Sequence, residues 1–198
     1  MPKIVDHEAY REELLEKCFH LFSNKGFHNV SMREICKEVG VSTGTMYHYF
    51  PAKEQILEQL LPWAVRTNIV AFARGTGTDL TVQERLKKLG TFWLEREGYN
   101  KNLIMLAIDL FRNGSSQAEE VFTYAIDSYK LGLSKSLKIG PQLSKVIYVY
   151  LLGLAFHSLM TPKPFPYKEE ILFLQDALGS VLEGGDQGAV EFLKKMQG

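Results

Sequence analysis

Between Val30 and Phe50 the chain carries two short apolar-faced runs joined at a single glycine, and this segment constrains the fold more than any other part of the sequence. Ser31-Met32-Arg33-Glu34 reads as a capping box: the Ser31 hydroxyl serves the amide of Glu34, and the Glu34 carboxylate reaches back. The short helix it opens ends at Gly40, where a left-handed residue is needed to stop the helix and swing the chain. Val41 fills the space under the turn, and Ser42 caps a further short helix that ends at Phe50 and Pro51. Ile35 and Val39 face the core from the first run; Met46 and Phe50, four apart, do so from the second. The arrangement is a helix-turn-helix whose second helix is free to enter a major groove.

Elsewhere helical periodicity prevails and strand alternation is nearly absent, so the fold class is all-α. A first helix spans Asp6 to Asn24, with Leu14, Cys18, Leu21 and Phe22 on one face and Gly26 as its stop. Lys53 begins a long helical stretch that contains Pro62, which predicts a kink or a break, or a hinge between two domains. Thr81-Val82-Gln83-Glu84 is another capping box and opens a helix to about Glu97. Further helices are expected over Asn102–Asn113, Ser116–Lys138 and Gln142–Met160. Three prolines between Thr161 and Pro166 interrupt the pattern. Two last helices, Lys168–Leu182 and Asp186–Met196, are expected on either side of Gly184-Gly185. The expected organisation is a three-helix domain over residues 1–52 followed by a helical bundle over residues 53–198.

The exposed residues of the second short helix are Thr43, Gly44, Thr45, Tyr47, His48 and Tyr49. Threonine contacts phosphate or a base edge, tyrosine hydroxyls suit phosphates, and Gly44 lets the backbone approach DNA closely. Lys53 adds charge at the start of the next helix, where the helix dipole also favours a phosphate. Phe22, Gly26-Phe27, Val30 to Ile35, Gly40 to Phe50 and Lys53-Glu54 together resemble the DNA-binding domain of the TetR family of transcriptional regulators, over about the first quarter of the chain. That resemblance implies a three-helix reader fused to an all-helical domain that binds a small molecule and dimerises. It also places Ser31, Thr43, Thr45, Tyr47, His48 and Lys53 toward DNA; Arg33, Ser42, Gly44 and Tyr49 complete the candidate set. In this family the penultimate aromatic of the recognition helix is often His; here it is Tyr49, and His48 precedes it.

The whole chain is formally neutral, with 23 basic and 23 acidic side chains. Residues 1–60 hold seven basic and nine acidic groups, which argues against a generic basic module. Five of those acids lie on the first helix, however, whereas Lys25 to Lys53 holds four bases and two acids. Binding should therefore rest on a few phosphate contacts per subunit.

Other chemistry finds little support. Cys18 and Cys36 read as packed thiols of a reducing compartment. His7, His20, His28, His48 and His157 lack ligand spacing, so no metal and no cofactor are expected. No nucleophile elbow, Walker loop or dinucleotide fingerprint occurs, so no catalytic residue is assigned. In the second part, Trp63, Trp93, Tyr99, Met105, Phe122 and Tyr124 are candidates to line an apolar ligand cavity, with Asp109 as a polar anchor. The effector is then an apolar or aromatic small molecule.

The run Val146 to Phe156 leaves no polar face for water, and Lys168–Leu182 is similarly wide. Helices 142–160 and 168–182 are therefore expected to pair with their symmetry mates in a homodimer rather than to cross a membrane. The resulting expectation is a cytoplasmic, ligand-responsive regulator, most simply a repressor released from a palindromic operator. An all-helical enzyme or ligand carrier with a structural N-terminal region is the alternative.

Overall fold

The computed structural model describes residues 6–77, 79–113, 117–161 and 165–195. Their regular structure is entirely helical: α1 (His7–Lys25), α2 (Met32–Val39), α3 (Thr43–Tyr49), α4 (Lys53–Gly75), α5 (Val82–Glu95), α6 (Glu97–Arg112), α7 (Ala118–Leu137), α8 (Pro141–Met160) and α9 (Tyr167–Lys195). The chain forms two compact units, one of Met1–Asn68 with Asn102–Ser128, the other of Ile69–Lys101 with Tyr129–Gly198.

In the first unit the local signals act as expected. Asp6 caps α1 by accepting from the amides of Glu8 and Ala9, each at 3.1 Å. Gly26 ends it at φ +79°. The Ser31 capping box is complete: the Glu34 amide donates to Ser31 Oγ at 3.3 Å and the Ser31 amide donates to Glu34 Oε2 at 2.7 Å. Gly40 takes the left-handed conformation, φ 79° and ψ 36°, and the Ser42 hydroxyl accepts from the Thr45 amide at 3.0 Å. Ile35, Val39, Met46 and Phe50 are all buried, and each contributes about 1.5–3 kcal/mol of transfer free energy. Phe22 and Phe27 pack edge to face, 5.3 Å between centroids. Burial pushes the Cys18 thiol up to about 12 and raises Cys36 as well, the behaviour of packed thiols and not of reactive thiolates.

In the second unit α5 and α9 run against each other. The Gln175 amide donates to the carbonyls of Leu86 (3.2 Å) and Lys87 (3.1 Å). Gly90 makes room for it, since a Cβ there would lie 1.8 Å from Gln175 Nε2. Buried Arg85 donates to the carbonyls of Leu80 and Ser136, satisfying the end of α7.

Three boundaries differ from expectation. α4 continues through Pro62 as one helix; proline removes a donor there without ending the helix. α6 begins at Glu97 and not near Asn102. A turn at Arg96 (φ −108°, ψ 20°) separates it from α5, and the buried Asn100 amide donates to the Trp93 carbonyl at 3.4 Å, which lets the second helix start early. α9 is one helix across Gly184-Gly185, where two were expected. Each glycine costs a helix about 1 kcal/mol but still donates and accepts; a stop needs positive φ, found among described glycines only at Gly26 and Gly40. Ser116, Pro162, Pro164 and Met196, which figured in the expected boundaries, lie outside the described residues.

Candidate nucleic-acid interface

The buried Met46 and Phe50 turn the opposite face of α3 to solvent. Thr43, Gly44, Tyr47 and His48 are exposed there, Tyr47 by half its surface, together with the cap Ser42. Ser31 and Arg33, at the start of α2, are exposed too. Thr45 is half-buried, and its hydroxyl lies 2.8 Å from Ser42 Oγ, so any contact it makes to a base shares that hydrogen bond. Nothing stands within 4 Å of a Cβ built on Gly44 except Ser42 Oγ at 3.8 Å. The site therefore offers short hydroxyls, one phenol and one imidazole on a rigid two-helix frame.

Lys53, in the first turn of α4, rests its ammonium 4.2 Å from the Phe27 ring centre. Partial burial lowers its pKa, opposed by the nearby carboxylates of Glu54, Asp109 and Glu34. The contact with Phe27 fixes this cation at the helix end, where an anion is favoured.

Tyr49 departs from expectation. It is buried, because its ring lies against Tyr10 (centroids 5.5 Å apart) and Arg11 of α1, and its hydroxyl meets His7 Nδ1 at 2.8 Å. It is a joint between α3 and α1. His7 was missed as a neighbour of the interface, and a contact across 42 residues leaves no mark in local spacing.

The candidate ligand residues fall in both units. Trp63, Met105, Asp109, Phe122 and Tyr124 belong to the first unit, Trp93 and Tyr99 to the second. Trp63 is buried against Phe19 (6.2 Å), whereas Met105 and Tyr124 are exposed. Asp109 is not a lone anchor. Its carboxylate sits 3.5 Å from His28 Nε2, in the loop between α1 and α2. In the second unit Tyr99 stacks under Arg96 (4.3 Å), and the buried Trp93 indole lies beside the Tyr167 hydroxyl without completing a hydrogen bond. An apolar cleft in that unit is walled by Leu86, Leu89, Leu151, Ile171, Leu174 and Leu178, none of them a predicted ligand residue.

α8 is long and apolar enough to span a membrane by length and composition, with mean hydropathy 1.5. It buries Ser144, Ile147, Leu151, Leu154 and Ala155 on one side. Val146, Val149, Leu152, Phe156 and Met160 are exposed, as are Leu172 and Phe173 of α9.

A capped helix-turn-helix within an all-helical chain defines a DNA-binding protein class, and comparison with known proteins gives the family. Residues 14–60 match the family of bacterial regulatory proteins described as the tetR family, and this N-terminal part of the chain is a domain of that family. The transcriptional regulator UidR of Escherichia coli K12 is 39% identical over 51 residues, 26% of each chain. The transcriptional repressor KstR2 of Mycolicibacterium smegmatis is 35% identical over 51 residues, 26% of this chain and 25% of the relative. The matched region thus spans about a quarter of the length of these curated relatives. The fold extends further. A proposed transcriptional regulator of Saccharomonospora viridis, solved in complex with choline, superposes with TM-score 0.67 at 19% identity, covering 87% of this chain and 97% of that one. The fatty acid degradation regulator FadR of Bacillus halodurans gives TM-score 0.63 at 16% identity over 89% and 96%.

Proposed function

We propose that the protein is a ligand-responsive transcriptional regulator, acting as a repressor, that binds a palindromic operator as a homodimer in the cytoplasm. The observation that carries this reading is α3: seven residues capped by Ser42, buried through Met46 and Phe50, and exposing hydroxyl and imidazole groups on the other side. Residues 1–52 form the reader, and residues 53–198 sense the effector and dimerise. Ser31, Arg33, Ser42, Thr43, Gly44, Thr45, Tyr47, His48 and Lys53 face DNA, with Thr43, Thr45 and His48 reading bases and Tyr47 and Lys53 holding phosphates.

The dimer reading rests on α8. Val149, Phe156 and Met160 with Gly153 between them recur at spacings of three and four, forming an exposed stripe along one face. A built Cβ at Gly153 meets nothing within 4 Å, so the stripe is open there for a second α8 to approach closely. An exposed apolar stripe of this kind calls for a partner surface, and two-fold symmetry supplies an identical one. The effector is an apolar or aromatic small molecule; the Saccharomonospora viridis neighbour, which holds the cation choline, supports only a small-molecule ligand as such. It acts only through its differential affinity for the two arrangements of the dimer.

A mobility-shift assay on the DNA upstream of the protein's own gene tests the reading. Retardation that Lys53→Ala weakens, with the salt slope flattened by about one unit per subunit, supports it. A protein that retards no duplex but stabilises thermally with apolar compounds is instead a carrier or enzyme.

A further inference from the structure

α3 contains no lysine or arginine, and its one basic side chain is His48. A second imidazole stands beside it. The ring centroids of His7 and His48 are 6.3 Å apart, and both side chains are exposed. His7 is the first residue of α1 and lies outside the family-matched residues 14–60.

The geometry orients His7. The Tyr49 ring is buried and held by Tyr10 and Arg11, so its hydroxyl has a fixed direction, and that hydroxyl meets His7 Nδ1 at 2.8 Å. In the tautomer whose Nδ1 accepts a hydrogen bond from the Tyr49 hydroxyl, the imidazole proton sits on Nε2, at the opposite edge of the ring. The neighbouring acids are engaged elsewhere: Asp6 accepts from the amides of Glu8 and Ala9, and Glu8 lies 3.8 Å from Arg11. Among the described residues the titratable and charged groups around His7 are the cap Asp6, Glu8, Tyr10 and Arg11 of α1, and His48 and Tyr49 of α3.

We propose that His7 is a DNA-backbone contact: its Nε2–H, oriented by Tyr49, binds a phosphate oxygen next to the site approached by His48. The interface then extends from α3 onto the first turn of α1. The inference rests on α3 being the groove-entering helix.

The test uses the full-length protein and a duplex that it selects from a random pool. Binding is titrated against salt at one pH for the native protein, His7→Ala, His7→Lys and His48→Ala, with a thermal melt of each. His7→Ala should weaken binding about tenfold for every selected sequence and leave base preference unchanged. His7→Lys should restore the affinity and steepen the salt slope by about one unit per subunit. His48→Ala should change base preference instead. A His7→Ala protein that melts lower yet binds every duplex with native affinity would overturn the proposal and leave His7 as a clamp on Tyr49, and so would a His7→Lys protein with the native salt slope. Failure of the native protein to select any duplex would instead sink the assignment of α3 as a reader, and this inference with it.

Discussion

The three reader helices and α8 both present rows of apolar side chains, and they dispose of them in opposite ways. In α1 to α3 the apolar rows turn inward. Leu14, Cys18, Phe22, Ile35, Val39, Met46 and Phe50 are all buried, and what remains outside is hydroxyl, charge and imidazole. In α8 half of the row stays exposed among the described residues: Ile147, Leu151 and Leu154 are buried, but Val146, Val149, Leu152, Phe156 and Met160 are not. A reading element needs a polar face on a frame that is complete by itself. An assembly element needs an apolar face that only a second copy completes. On the proposed reading, the same physical drive, removal of apolar surface from water, serves folding in one region and association in the other.

Substituting a phenylalanine in each region separates the two roles. Phe156→Glu should leave the subunit folded but monomeric at micromolar concentration by sedimentation. Loss of the paired reader should weaken operator binding by about 10²–10⁴-fold. Phe50→Ala should instead unfold the reader, at a cost of about 3–5 kcal/mol in urea denaturation, because the ring is fully buried. Equal loss of folding stability from both substitutions would erase the distinction. Gly40→Val probes the frame with no change in polarity. Open space surrounds the position, so the expense is conformational: a β-branched residue at φ +79° costs about 1–2 kcal/mol.

Ser31→Ala has the smallest expected effect, about 1 kcal/mol, from loss of the capping box. This box also gives the reader a pH signature. Hydrogen bonds from Ser31 hold the Glu34 carboxyl below its ordinary value of 4.5. A carboxyl lowered on folding contributes stability above its ordinary value and loses it as pH falls through the lowered one. An acid titration of the native protein and Glu34→Gln, which keeps an uncharged acceptor for the Ser31 amide, should therefore converge at low pH. Parallel curves would remove Glu34 from the cap.

The same contrast explains what the sequence could reveal. Ser31-x-x-Glu34, Gly40, Ser42 and the spacing of Met46 and Phe50 act within a few residues, so α2, the turn and α3 were legible to the residue. The wide apolar character of α8 was legible as well, because it needs no knowledge of a neighbour. What escaped depends on distant partners. The burial of Tyr49 requires α1, and the Asp109–His28 pair joins residues more than eighty positions apart. The aromatic residues from Trp63 to Tyr124 carry no local mark of whether they meet a ligand or one another, and the structure divides them between two units. Gly184-Gly185 read as a stop because composition alone does not report φ.

The central claim is that α3 enters a major groove as one of a symmetric pair. Hydroxyl-radical footprinting on a duplex selected by the protein tests it most directly. The expected footprint is two equal half-sites related by two-fold symmetry, their centres separated by about one or more turns of 10–10.5 base pairs. Within each, Thr43→Ala and His48→Ala should alter base preference while leaving the protected backbone positions in place. A single unsymmetric footprint, or protection unaffected by every substitution on α3, would contradict the account.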